Sequence, residues 1–294
     1  KETRVLDKIW LKNYPPEVPV KINPEDSASL QAVFDKAVKK YPNRLAVSNF
    51  GHSITYKELN KRSKAFAGYL QKKLKLKRGD RFAIMMPNLI QYIVALHAAF
   101  KAGLIVVNVN PLYTPRELIH QLNDAEVETI LVLENFAHTV QKSMPKVNLK
   151  HVIVTRMGDE LSFFKKHLIN FMVKRVKKMV PAYHIKHALS YAHALTVGAH
   201  IHLHKVPLTG EDLAFLQYTG GTTGRAKGAM LTHRNMVANV EQAYHWVAPF
   251  ADQGQDIVIT PLPLYHVFSL LANCMVFTKC GSLNVLITNP RDLN

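Results

Sequence analysis

Along the first half of the chain, apolar positions switch between two spacings. Leu30, Val33, Phe34, Ala37 and Val38 recur at three- and four-residue intervals and predict a helix over residues 30–41. Thr55-Tyr56-Lys57-Glu58 has the form of a capping box, in which a hydroxyl and a carboxylate each satisfy a free amide of the first helical turn, so a second helix is expected to run toward Leu74. Short apolar runs follow at 81–85, 104–109, 129–133 and 151–155, and these read as buried strands. Between them, residues 89–102 read as a helix. Thr114-Pro115-Arg116-Glu117 is a second capping box, with proline at the first helical position, where a missing N–H costs nothing. Strands alternating with helices predict an α/β fold built on a mainly parallel, doubly wound sheet with helices on both faces. Ligands of such sheets bind at loops beyond the carboxyl ends of the strands.

Composition narrows the class without identifying it. Of 294 residues, 48% are hydrophobic and 20% charged, which suits a globular chain with a sizeable core and excludes disordered, collagen-like and disulfide-scaffold classes. The two cysteines, Cys274 and Cys280, sit in apolar company and fit a reducing compartment. Uncharged stretches at 82–100 and 257–278 are long enough to span a bilayer, but Pro87, Asn88 and Gln91 interrupt the first and Pro261, Pro263, His266 and Asn273 the second. Each reads better as strand, loop and helix. The chain opens Lys1-Glu2-Thr3-Arg4 with no apolar stretch behind it, and a cytoplasmic location is expected.

Charge changes the picture. The net charge is +17, and from residue 161 to 210 there is no Asp or Glu at all. That excess calls for an anionic partner such as a phosphorylated ligand, a membrane surface or a nucleic acid. A nucleic-acid reader would interleave aromatic and basic residues on an exposed sheet; no such pattern occurs, and no nucleic acid is expected. Leu161, Phe164, Leu168, Phe171, Met172, Val176 and Met179 recur at helical spacing, with Lys166, Lys174, Lys177 and Lys178 mostly opposite and Arg175 intruding on the apolar side. Two readings of residues 161–180 stand side by side: a basic amphipathic helix lying on an anionic membrane, or a helix packing its apolar face on the domain. His193, His200, His202 and His204 lack the Cys or carboxylate partners of a metal site. The His-rich stretch 162–205 closes a first unit, 1–205, and a second, 206–294, follows it.

The chemistry concentrates in that second unit. An apolar strand at 213–218 leads into Thr219-Gly220-Gly221-Thr222-Thr223-Gly224-Arg225-Ala226-Lys227-Gly228. Four glycines let backbone amides converge closely on an anion. Three threonines add hydroxyls, and Lys227 adds a point charge that reaches phosphate oxygens. Thr232 then caps a helix. The spacing is neither that of a Walker A loop nor G-x-G-x-x-G, yet strand, Gly/Thr loop, lysine and helix together make a phosphate-binding arrangement.

Residues 218–228 resemble the signature loop of the adenylate-forming (acyl-CoA synthetase/luciferase-like) superfamily, [YF]-T-S-G-T-T-G-x-P-K-G. Gly221 stands at the usual Ser and Ala226 at the usual Pro. Met86-Pro87-Asn88, the run from Val107 to Leu118, Leu231-Thr232-His233-Arg234-Asn235 and Pro261-Leu262-Pro263-Leu264-Tyr265-His266 extend the resemblance across the chain, most closely to bacterial long-chain fatty acid–CoA ligases. The resemblance implies the N-terminal part of the adenylate-forming fold and the reaction of a long-chain fatty acid with ATP and coenzyme A, through an acyl-adenylate, with Mg²⁺; the loop itself does not separate this acid from an aryl or amino acid. Carried over by position, Tyr218, Thr219, Gly220, Gly221, Thr222, Thr223, Gly224, Lys227 and Gly228 form the phosphate site. Thr219 is also near magnesium, and His266 lies beside the acyl-adenylate. His266 reads equally well as a satisfied histidine before a buried helix, and His233 as support for a helix start. Family members run longer than this chain, and the later motifs that carry a magnesium-binding Glu, a ribose-binding Asp and the small C-terminal domain with its lysine are not in the sequence. The 294 residues alone are therefore expected not to turn over. A peripheral position on the cytoplasmic face of the inner membrane would suit such an enzyme.

Overall fold

A computed structural model describes residues 8–24, 27–219 and 226–291. Helix α1 (Leu30–Lys40) is followed by β1 (Leu45–Asn49), β2 (His52–Thr55), α2 (Tyr56–Lys72), β3 (Arg81–Met85), α3 (Ile90–Ala102), β4 (Ile105–Val109), α4 (Pro115–Asp124), β5 (Thr129–Leu133), α5 (Ala137–Ser143) and β6 (His151–Thr155). Then come α6 (Phe163–Phe171), β7 (Leu189–Ser190), α7 (Tyr191–Gly198), β8 (Leu213–Thr219), β9 (Lys227–Thr232), α8 (His233–Val247), β10 (Ile257–Thr260) and β11 (Leu283–Leu286). The alternation expected from the apolar runs is present, with element ends shifted by a residue or two.

Seven strands form one sheet in the order β7-β6-β5-β3-β4-β8-β9, parallel except for the β8–β9 hairpin. Four form another in the order β10-β11-β1-β2, parallel except for β1–β2. Strand pairing therefore crosses residue 205 in both sheets, and sheet membership does not divide the chain at the boundary expected there. Helices cover both faces of the larger sheet. Phe82, Ile84 and Val106 point into a core shared with α1, α2, α3 and α8, whereas Ala83, Met85 and Val107 point into one shared with α4 and α5. This is the period-2 alternation of a strand buried on both sides.

Local chemistry explains the helix starts. The Thr55 hydroxyl accepts from Glu58 N (3.2 Å) while Glu58 Oε2 accepts from Thr55 N (2.8 Å), and Thr114 and Glu117 repeat the arrangement at α4. At α8 the box pairs Thr232 with Asn235. Helix α3 differs, because every one of its residues is buried. It ends at Gly103, whose φ of +76° is a left-handed cap, and a Cβ there would stand 2.7 Å from Val206.

Residues 163–176 depart from the packed alternative. The expected helix forms over α6 and continues as a π-helical turn at Met172–Val176. Its inner side is Val173 with half-buried Ile169, while Phe163, Phe164, Leu168, Phe171 and Val176 face solvent. Of the expected stripe only Leu161 is buried. The domain takes up the other side of the helix. Among the described residues no helix is long and apolar enough to cross a membrane.

Two imidazoles are locked inside. His97 of α3 stacks on Phe34 of α1 at 3.6 Å, and neither ring nitrogen has a hydrogen-bond partner. His233, the first residue of α8, accepts from Leu30 N through Nδ1 (3.3 Å) and packs edge-on against Phe100, so it supports a helix start in the interior. Burial pushes His97 down to about 3, with Lys101 adding to the effect, and His233 down to about 4. The folded chain keeps both neutral, whereas the unfolded chain takes up protons below the ordinary histidine value near 6.5. The stability they contribute is complete above pH about 6.5 and is lost as pH falls toward 4, at up to about 2.7 kcal/mol per pH unit for the pair. Urea unfolding across that range should show the decline, and His97→Leu should flatten it by about half.

Candidate functional site

Strand β8 ends at the carboxyl edge of the large sheet and turns back antiparallel into β9. The last two rungs pair Tyr218 with Gly228 and Thr219 with Lys227. Thr219 and Lys227 are both exposed, and directly opposed residues put their Cβ atoms about 5 Å apart. The hydroxyl and the ammonium stem thus share the neck of the glycine-rich loop. Gly220, Gly221, Thr222, Thr223 and Gly224 lie outside the described residues. Strand β9 was not anticipated from the sequence, because Lys-Gly-Ala-Met-Leu-Thr has no clean alternation and pairs on one side only.

Helix α4 holds the neck on both strands. The Tyr218 hydroxyl donates to Asp124 Oδ2 (2.5 Å), and His120 Nε2 donates to the Ala226 carbonyl (2.9 Å). Burial, with the Asp124 carboxylate adding to it, pushes the Tyr218 phenol up, so it stays a neutral donor. The Tyr218 side chain covers Gly228 so closely that a Cβ there would lie 2.9 and 3.0 Å from ring carbons and 3.2 Å from the hydroxyl oxygen. Glycine at 228 is thus required by the tyrosine across the hairpin as well as by any ligand.

Beside the neck, side-chain amides bind the backbone of residues 260–265. Asn88, just after β3, donates through Nδ2 to the carbonyls of Thr260 (3.0 Å) and Leu262 (2.9 Å) and accepts from Leu264 N through Oδ1 (2.8 Å). Asn108 of β4 donates to Gln217 Oε1 (3.0 Å), and Gln217 of β8 donates to the Tyr265 carbonyl (2.9 Å). The Tyr92 hydroxyl lies 2.7 Å from Asn108 Oδ1 and 2.9 Å from the Leu264 carbonyl, two acceptors that share its one proton. Asn88, Gln217 and Asn108 are all buried. Gln217, two residues before Thr219, therefore ties the strand that carries the loop to the residue preceding His266.

His266 itself caps a short helical turn, with its ring exposed and tilted on Tyr265 at 4.7 Å, beside exposed Val267 and Phe268. Among the described residues its ring makes no hydrogen bond, so it is not a satisfied interior histidine. The neck carries the Lys227 ammonium stem, the Thr219 and Tyr218 hydroxyls and the Asp124 carboxylate, and among the described residues no group of three or more His, Cys, Asp or Glu side chains is placed to hold a metal. Of the expected site residues, Thr219 and Lys227 stand opposite each other at the neck, and His266 follows the residue whose carbonyl Gln217 holds. Asp124, His120, Tyr92 and Gln217 were missed. Gln217 and Asn108 carried a signal, a lone amide inside an apolar strand; Asp124 and His120 carried none.

The profile of the AMP-binding enzyme family matches residues 34–294. A long-chain-fatty-acid–CoA ligase of Escherichia coli O157:H7 is 54% identical over 288 residues, covering 98% of this chain and 51% of its own length. One from Haemophilus influenzae is 51% identical over 291 residues, with 98% and 52% covered. The chain thus spans about half the length of the curated relatives it matches. The crystal structure of a long-chain-fatty-acid-CoA ligase from Archaeoglobus fulgidus superposes with a TM-score of 0.72 at 24% identity, over 94% of this chain and 50% of that one, and shows the same fold.

Asn88→Ala removes three bonds to one backbone segment and leaves the buried Leu264 N–H without its acceptor, while the Thr260 and Leu262 carbonyls keep Ile287 N and the Ser269 hydroxyl as donors. It should cost about 2–4 kcal/mol in urea unfolding, and Asn88→Asp, which keeps only the acceptor, should cost a similar amount.

Proposed function

The chain belongs to the AMP-binding enzyme family, and on that premise we propose that it carries the phosphate-binding half of a long-chain fatty acid–CoA ligase. The observation that carries this reading is the hairpin neck, where Thr219 and Lys227 face each other at the carboxyl end of β8. The identity of 51–54% to long-chain-fatty-acid–CoA ligases supports the acid and thiol substrates.

In the first step a fatty carboxylate oxygen attacks the α-phosphorus of ATP. The bond to the bridging oxygen breaks, and pyrophosphate leaves with the electron pair. Charge accumulates on the departing phosphates, where the amides of residues 220–224, the hydroxyls of Thr219, Thr222 and Thr223, and the Lys227 ammonium would stabilise it. In the second step the sulfur of coenzyme A attacks the acyl carbon, the thiol loses its proton, and AMP departs. Thr219 is exposed at the neck, and its hydroxyl would offer one oxygen to a Mg²⁺ ion accompanying the phosphates. Such an ion neutralises phosphate charge when bound. Tyr218 and Gly228 keep the neck shut through ring packing, and His266 with Val267 and Phe268 borders the acyl-adenylate. The reading includes a cytoplasmic protein in peripheral contact with the inner membrane, where long-chain acids partition.

Joining this chain to the complementary half of the Escherichia coli relative gives a protein in which pyrophosphate release with Mg-ATP can be compared among palmitate, benzoate and aspartate. Palmitate should be preferred, and Lys227→Ala should lower the rate by about 10²-fold, the scale of a lost charge-stabilising donor. Benzoate or aspartate as the preferred acid would overturn the substrate assignment. An unchanged rate in the Lys227 variant would overturn the phosphate site.

A further inference from the structure

The surface formed by residues 163–179 is built inside out for a water-soluble protein. Phe163, Phe164, Leu168, Phe171, Val176 and Met179 are all exposed, with Phe164 at 84%. A solvent-facing helix ordinarily turns such residues inward. Here the inner side is already committed. Val173 is buried, Lys165 Nζ donates to the Gly51 carbonyl (2.8 Å), and Asn170 Oδ1 accepts from Gly158 N (2.8 Å). Lys166 pairs with Asp159 at 3.5 Å, and Asn135 Nδ2 donates to the Met179 carbonyl (3.1 Å). The helix cannot roll its aromatic face inward without breaking these contacts.

The charge beside that face selects its partner. Lys174, Arg175, Lys177 and Lys178 are exposed, of these Lys174 alone acts on a described carboxylate, that of Glu134, and no Asp or Glu occurs between residues 161 and 210. A second copy docking the same face would bring these four cations against their own equivalents. We infer that residues 163–179 seat the protein on an anionic lipid bilayer, with the Phe and Leu side chains in the acyl–headgroup boundary and the four cations among phosphate headgroups. The inference deepens the peripheral part of the proposed function by naming the contacting surface and the lipid charge it selects. Its test involves no ATP or acid, so it can fail while the ligase assignment stands, and the reverse also holds.

The test is sedimentation of the chain with vesicles of phosphatidylcholine alone and of phosphatidylcholine mixed with phosphatidylglycerol. The chain should bind the anionic vesicles, release them as salt is raised, and leave the neutral ones in solution. Phe164→Asp with Phe171→Asp should abolish binding with an unchanged unfolding midpoint, since both side chains are already exposed. Lys174→Ala with Lys177→Ala should weaken binding about 25-fold, about fivefold for each lost cation near the surface. Equal binding to both vesicles, binding that survives the double Asp substitution, or no binding to either would overturn the inference. So would a lipid-free dimer that the same Asp substitutions dissociate, because the face would then join two copies of the chain.

Discussion

The arrangement depends on the side chains that tie down residues 260–265. Beyond Thr260, whose carbonyl still accepts from Ile287 N, this segment leaves β10, the edge strand of the four-stranded sheet, and crosses toward the carboxyl ends of the seven-stranded one. Buried carbonyls and amides without partners are costly, on the order of 1–3 kcal/mol each. Asn88, Gln217 and Tyr92 supply partners to Thr260, Leu262, Leu264 and Tyr265, and Asn108 orients Gln217 and Tyr92. A primary amide carries donor and acceptor in one plane, so it can serve a backbone that runs past it as a neighbouring strand would. At position 88 an apolar side chain of similar volume would fill the space and leave the buried Leu264 N–H without its acceptor.

Once that segment is fixed, the site's geometry follows. Gln217 belongs to the strand that enters the glycine-rich loop, and its bond to Tyr265 places the loop neck and His266 in one rigid frame. Helix α4 fixes the same neck from the other face of the sheet, with Asp124 on one strand and His120 on the returning one. The helix is itself anchored by its capping box and by Gln121, which donates to the Asn108 carbonyl (2.8 Å). A neck held this way is ordered in advance, which lowers the entropy that binding a ligand there must overcome.

Much of the architecture was legible because local signals agreed with one another. The capping boxes at Thr55 and Thr114 and the β-branched runs of β4, β5 and β6 each mark an element that tertiary packing did not need to override. Thr219 and Lys227 were singled out from composition, and the hairpin puts them opposite each other. Strand β9 was hidden, because an edge strand with Gly228 and Ala229 has neither alternation nor β-branching to announce it. The orientation of α6 was hidden for a different reason. Periodicity reports that a helix has an apolar face, and only the contacts of Lys165, Asn170 and Val173 decide whether that face looks in or out. The roles of Asp124 and His120 depend on α4 crossing the hairpin, a long-range pairing that no local pattern encodes.

The most direct test of this account is a crystal structure of the chain with a non-hydrolysable ATP analogue. The account predicts the triphosphate between the Tyr218 and Ala226 ends of the hairpin, with Lys227 and the Thr219 hydroxyl against it and the bonds from Asp124 and His120 intact. A triphosphate bound elsewhere on the chain, or no nucleotide at a saturating concentration with the neck closed as described, would contradict it.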